Sequence, residues 1–269
     1  MKIAIIAGSG DLPKQIANKN PNAFVLCIEK HSIPSSFKNH SETVSLLEPN
    51  SWITALKKNK ITHLVMAGKI NRVSTKILSR DETFFKLIDQ TSSLGDNASL
   101  KYIEKFFNDN GFEILPIKSV LNDCFFNKGF YREEFFSTEL KNYVIENSKF
   151  GVNLLDTISA FDVGQSVVLS NKLVYAIEAM EGTDSMIDRA GSLYKDYSNK
   201  NNFGPVLVKI PKLNQNFKMD LPVIGLNTIK KCKVLGFCSI VVSSEGTLII
   251  EKELVENYLK KQDFCIYSI

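Results

Sequence analysis

"KIAIIAGSGDLP" (residues 2–13) runs from an unbroken apolar stretch through Gly8 and Gly10 to Pro13. "KIAIIA" is short enough for a buried strand, and "GSGDLP" turns it into a helix over residues 12–19, with proline tolerated in the first helical turn. The same alternation continues outward. "AFVLCIE" (23–29) reads as a second buried strand, "NSWITALKKNK" (50–60) as a helix and "HLVMAG" (63–68) as a third strand. "ETFFKLIDQ" (82–90) and "NASLKYIEKFFNDN" (97–110) have helical periods, with Leu100, Ile103 and Phe107 on one face, and "FEILPI" (112–117) is another strand. Short apolar strands alternating with amphipathic helices predict a Rossmann-like parallel α/β domain over residues 1–130.

From residue 131 the style changes. "FYREEFFSTELKNYVIENSKF" (130–150) predicts a charged connecting helix or linker, and "GVNLLDTISAF" (151–161) a separate helix. "QSVVLSNKLVYAIEA" (165–179) predicts a β-hairpin turning at "SN", followed by a strand in "GPVLVKI" (204–210). "NTIKKCKVLG" (227–236) predicts a short helix ending at Gly236. "SIVVSSEGTLIIE" (239–251) predicts a second hairpin turning at "SEG". "ELVENYLKKQ" (253–262) and "FCIYS" (264–268) add a last helix and strand. Residues 131–269 therefore form an α+β domain with a mixed sheet, and the 269-residue length suits two domains.

With 44% apolar and 23% charged residues, the chain is ordinary globular material. A formal charge of +4, without any long basic run, gives no nucleic-acid footprint. The five cysteines form no CxxC pair and the three histidines lie apart from them, which disfavours zinc or a disulfide framework and points to reduced thiols in a cytoplasm. The N-terminal apolar stretch is too brief for a signal peptide, and no run approaches the ~20 residues of a spanning helix. Any contact with a membrane would be peripheral.

Two loops place chemistry at the carboxyl edge of the predicted parallel sheet, where such sheets bind ligands. Gly8 and Gly10 let backbone N–H groups approach a phosphate, and Glu29, at the end of the second strand, suits a ribose hydroxyl in a dinucleotide site. Pro13 stands where the third glycine of that fingerprint belongs. "AGKINRVS" (67–74) adds Gly68 with Lys69 and Arg72. In "EAMEGTDSMIDRAG" (178–191), Thr183 or Asp184 is placed to cap a helix. Glu178, Glu181 and Arg189 keep them company, and clustered carboxylates favour a hard divalent cation.

Seven blocks in order carry a resemblance: "IAGSGDLP", "AGKINR", "GDNASL", "DVGQSVV", "EAMEGTDSMI", "LVKIPKLNQ" and "MDLPVIG". Over nearly the whole chain they resemble the UDP-2,3-diacylglucosamine pyrophosphatase family of lipid A biosynthesis, the two-domain type distinct from calcineurin-like phosphatases. The resemblance implies a Mg2+-dependent hydrolase yielding UMP and 2,3-diacylglucosamine 1-phosphate, a ligand cleft between domains and a homodimer. It makes Asp184 the essential carboxylate, with Glu181 and Thr183 beside it in catalysis. Asp184 and Glu178 would face the metal. Gly8, Gly10, Lys69, Arg72, Gln165, Lys209 and Lys212 would meet the substrate. Asn97 stands where the family has an aspartate, and Leu213 and Asn216 replace a proline and an acid. Four Phe-Phe pairs (84–85, 106–107, 125–126, 135–136) offer second partners for an acyl groove, since neighbours on a helix point apart. A nicotinamide oxidoreductase and a non-catalytic nucleotide-sugar sensor are the rival readings.

Overall fold

The computed structural model describes residues 1–70, 83, 96–121, 123–197, 203–213 and 215–269, with the backbone alone for 96–98. Arg72, the Phe84-Phe85 pair, nearly all of the helix expected over 82–90 and the side chain of Asn97 lie outside the described residues. The chain forms two units, Met1–Asn122 with Asn216–Asp220, and Asp123–Gln215 with Leu221–Ile269.

In the first unit the elements are β1 (Ile3–Ala7), α1 (Leu12–Lys19), β2 (Phe24–Ile28), β3 (Ser41–Val44), α2 (Pro49–Lys58), β4 (His63–Ala67), α3 (Asp96–Asp109) and β5 (Glu113–Ile114). Among the described residues they build a five-stranded parallel sheet in the order β3-β2-β1-β4-β5. β1 lies at the centre because residues 4–7 are apolar on both faces, as a strand covered on two sides must be. β3, "SETV", has no apolar pattern to announce it. It is an edge strand with Ser41 and Glu42 partly in solvent, where polar side chains deter further pairing. The apolar faces of α1, α2 and α3 close the core around Ile16, Leu56 and Phe107, and the Trp52 and Phe107 rings stack at 6.2 Å. Residues 216–220 return to this unit: Asn216 and Lys218 each donate to a different oxygen of Glu104, at 3.0 and 2.9 Å, and Met219 packs on the core. Lys218 holds the Glu104 carboxyl below its ordinary pKa.

In the second unit the elements are β6 (Gly129–Phe130), α4 (Thr138–Ile158), β7 (Ser166–Ser170), β8 (Leu173–Ile177), α5 (Gly182–Tyr197), β9 (Val206–Lys209), β10 (Val223–Ile224), α6 (Leu226–Val234), β11 (Ser239–Val242), β12 (Leu248–Ile249), α7 (Lys252–Leu259) and β13 (Cys265–Ser268). A six-stranded mixed sheet runs β6-β13-β11-β9-β7-β8, parallel at its centre and antiparallel at both ends. Alternate residues serve opposite faces. Val167, Leu169, Val206, Val208 and Val241 pack with α4, while Val168, Leu207, Ile240 and Val242 pack with α5, α6 and α7.

Two expectations are corrected. Residues 138–158 form one helix, capped by the Ser137 hydroxyl, with no break at Gly151. Gly151 is a contact point: a Cβ there would lie 2.7 Å from Val208 Cγ2 and 3.0 Å from Leu169 Cδ2, so the glycine lets the helix press on the sheet. The hairpin at "SEG" does not form. β11 pairs in parallel with β9 and β13, whereas β12 leaves the turn to pair in parallel with β10 in a separate two-stranded sheet. A fully buried apolar run does not announce the direction of its partner. The expected hairpin at 165–179 is present, turning through Asn171 and Lys172, both left-handed as such a turn requires.

Three of the phenylalanine pairs lie among the described residues. Phe125 and Phe126 are both buried, and Phe106 packs against the Phe107 ring at 5.3 Å. Phe135 is exposed, with the Arg132 guanidinium 3.9 Å from its ring centre.

Candidate active site

Because β7 is antiparallel to both β8 and β9, the start of β7 and the ends of β8 and β9 fall at one edge of the sheet. That edge gathers the loop 162–165, the segment 178–184 and residues 209–212. The ladder continues past the strands: Glu178 N donates to Ser166 O at 2.9 Å, and Gly164 N to Glu178 O at 3.1 Å. The approach at Gly164 is so close that a Cβ would lie 2.3 Å from the Glu178 carbonyl oxygen. Only glycine fits. Gly164→Ala should destabilise the chain by about 1–3 kcal/mol, as overpacking does. A urea midpoint equal to the parent's would show that this loop can yield.

Glu178, 8% exposed, is gripped through both oxygens. Thr183 Oγ1 donates to Oε1 at 2.6 Å and the Gln165 amide to Oε2 at 3.2 Å. Thr183 Oγ1 in turn accepts from Lys209 Nζ at 2.5 Å, and Lys209 is only 5% exposed. Burial alone would raise the Glu178 pKa. The Lys209 charge and these hydrogen bonds outweigh it, and the carboxyl titrates below its ordinary value. Lys209, Thr183 and Glu178 are thus a buried cation, a bridging hydroxyl and a buried anion.

The cap expectation needs correction. α5 begins at Gly182, which has a φ of +77°, so Thr183 and Asp184 lie inside the first turn. The Thr183 hydroxyl is committed to Glu178 and Lys209, and does not cap the helix. Asp184 is exposed, and among the described residues its carboxylate makes no hydrogen bond or ion pair. A negative charge in the first turn is favourable to the helix. Lys231 of α6 reaches the Asp184 carbonyl at 3.3 Å and the Asp188 carboxylate at 2.8 Å, bracing the outer side of α5.

The remaining expected residues divide. Glu181 accepts from Arg189 at 2.6 Å, which holds its pKa down, and from the Ala179 amide, so it is fastened to α5 and to the segment that leads into it. Lys212 pairs with Asp162 at 2.6 Å, and its amide donates to the Gln215 side chain. Gln165 is anchored through its backbone, while its buried side-chain oxygen has no hydrogen-bond partner among the described residues. Asp162, left-handed at φ +53°, and Gly164 are absent from the expected set. A glycine abutting an apolar strand is the sequence signal that would have marked the latter.

In the first unit the glycine loops clasp each other. Gly8 N donates to Ala67 O, Ser9 N to Lys69 O and Lys69 N to Ser9 O, at 2.8–2.9 Å. A Cβ on Gly8 would meet Lys69 O at 2.7 Å, and one on Gly68 would meet Ser9 O at 2.7 Å and Pro13 Cγ at 2.9 Å. The amides of residues 8 and 9 are spent inside the protein, leaving Gly10, whose Cβ position is open. The Lys69 side chain is exposed.

Residues 2–124 match the LpxI N-terminal domain and residues 133–267 the LpxI C-terminal domain. The chain belongs to the LpxI family. It is 27% identical over 263 residues, 94% of its own length and 92% of the relative's, to the UDP-2,3-diacylglucosamine pyrophosphatase LpxI of Caulobacter vibrioides. The Glu178–Thr183–Lys209 array, Asp162, Gly164 and Asp184 all fall within the LpxI C-terminal match, and the Gly8–Lys69 clasp within the N-terminal one.

Proposed function

We propose that this LpxI-family chain hydrolyses the diphosphate of UDP-2,3-diacylglucosamine to UMP and 2,3-diacylglucosamine 1-phosphate, and that Asp184 is the carboxylate on which the reaction depends. The observation that carries this reading is an exposed carboxylate that makes no hydrogen bond or ion pair among the described residues, on a helical turn fastened by a buried lysine and glutamate bridged by the Thr183 hydroxyl. Carboxylates left unpaired beside such a support are suited to a ligand. Glu178, Thr183 and Lys209 hold the turn, and Arg189 with Glu181 fixes the chain that enters it.

Magnesium fits this arrangement through Asp184. The ion keeps several waters and is bound by one or two carboxylates together with substrate phosphate, so a cluster of protein ligands is not required. Among the described residues no group of three His, Cys, Asp or Glu side chains forms such a cluster. Glu178 fits less well as a ligand, since both oxygens already accept hydrogen bonds. A bound divalent cation supplies neutralisation of the diphosphate charge and a more acidic water. Asp184 would orient the nucleophilic water toward phosphorus. No helix among the described residues is long and apolar enough to cross a membrane, so the acyl chains would be met without a spanning helix.

The deciding experiment is turnover of radiolabelled UDP-2,3-diacylglucosamine, with UMP and the lipid 1-phosphate resolved as products. Absence of both in the presence of magnesium refutes the proposed reaction. Activity should vanish in excess EDTA, return with magnesium or manganese, and survive zinc-selective chelation. Full turnover after prolonged EDTA dialysis would remove the metal from the mechanism.

A further inference from the structure

The pair between Lys212 and Asp162 lies at the same edge of the second unit's sheet as the Glu178–Thr183–Lys209 array, yet is no part of it. The ammonium meets Asp162 twice, at a carboxylate oxygen (2.6 Å) and at the carbonyl (3.4 Å). The Lys212 side chain is 14% exposed and that of Asp162 28%. A charge-assisted contact so short and sheltered is screened far less than a pair in open water. Asp162 is left-handed at φ +53°, a conformation that aspartate and asparagine accept more readily than most residues. The partner segment is fastened as well. The Lys212 amide donates to the Gln215 side chain at 2.9 Å, the Gln215 amide returns to the Lys212 carbonyl at 3.0 Å, and the Leu213 amide donates to the Ser159 hydroxyl at 2.9 Å. Residues 212 and 213 thereby close over the turn that follows α4.

That turn leads directly into the site. Two residues beyond Asp162, Gly164 abuts the Glu178 carbonyl with no room for a Cβ, and the next amide, of Gln165, holds Glu178 Oε2 at 3.2 Å. Glu178 accepts from Thr183 at 2.6 Å, and Thr183 immediately precedes Asp184. A displacement of Asp162 is therefore carried, through contacts without slack, to the turn that bears Asp184. We infer that Lys212 and Asp162 are positioning residues: their ion pair sets the loop 162–165 against Glu178 and so fixes where the Asp184 carboxylate points. The inference rests on Asp184 being the reacting carboxylate. It gives Lys212 a different duty from a phosphate clamp, because its ammonium already serves two oxygens of Asp162.

Steady-state kinetics and amide hydrogen exchange on full-length Asp162→Asn, Lys212→Met and the double variant test this. Asparagine keeps the shape and the left-handed backbone of residue 162 and removes only the charge. Each single variant should lower kcat on UDP-2,3-diacylglucosamine about tenfold or more, with KM within about twofold of the parent. The double variant should be slower than the worse single one by no more than about twofold, since the same pair is broken in all three. Exchange at the amides of residues 164, 165 and 178 should quicken at least about tenfold in both single variants. A phosphate clamp behaves otherwise: Lys212→Met would raise KM, and Asp162→Asn, which releases the ammonium, would not. Opposite responses of the two variants, or a kcat unchanged in both, overturn the inference. A parent that turns over no UDP-linked substrate removes the proposed reaction instead. Quickened exchange in both variants would then keep the tie from Asp162 to Glu178, and unchanged exchange would break it.

Discussion

Asp184→Asn is expected to lower kcat on UDP-2,3-diacylglucosamine by on the order of a thousandfold, about 4 kcal/mol of transition-state stabilisation. The same change should move the thermal midpoint by no more than about 2–4 °C. The two halves of this expectation have different causes. The Asp184 side chain is exposed and bonds to nothing among the described residues, so its removal breaks no packing. Its charge contributes roughly 0.3–1 kcal/mol to the first turn of α5. Asparagine preserves shape and polarity but not the charge that a hard cation or an oriented water requires. Turnover within tenfold of the parent would reduce Asp184 to a favourable charge at a helix start.

Lys209→Met should cost about 3–5 kcal/mol of stability at neutral pH, because it strands the buried Glu178 carboxylate without its countercharge. The pH dependence has a definite sign. In the parent, the folded-state pKa of Glu178 lies below the unfolded value. Its contribution is therefore complete above the ordinary glutamate range and is lost as pH falls through the lowered folded pKa. Without Lys209 that depression disappears, so the gap between variant and parent should narrow on acidification. Adding Glu178→Gln to Lys209→Met should recover part of the loss. Urea unfolding at pH 7 and pH 4 measures all of these. A single-variant cost under about 1 kcal/mol at pH 7, or a gap that widens in acid, would show that the pair does not act as an ionic unit.

Most of the first unit was legible because β1, β2 and β4 are buried on both faces and α1 and α2 on one, which leaves clear periods in the sequence. β3 escaped because an edge strand made of Ser41, Glu42 and Thr43 has no such period. In the second unit β11 and β12 were both visible as apolar runs, but their partners were not. Asp184 was legible through the block that contains it. Its support was not, because Thr183 and Lys209 are 26 positions apart and meet only through the register that sets Ser166 opposite Lys209. The glycines have a common physical role. Gly68 marks a close passage of backbone, as its place after a strand suggests, and Gly8 makes the same kind of contact, while Gly151, which looked like a helix break, is where the helix presses on the sheet.

The return of residues 216–220 to the first unit has a bearing on how the chain is made. A ribosome delivers the five-stranded sheet early, but Glu104 must wait for Asn216 and Lys218 until most of the second unit has emerged. The first unit is therefore not completed in the order of its synthesis, and the usual N-terminal-first sequence of domain folding stops one step short. A protein truncated after residue 122 would carry that unfinished state permanently, with the surface meant for Met219 left open to solvent.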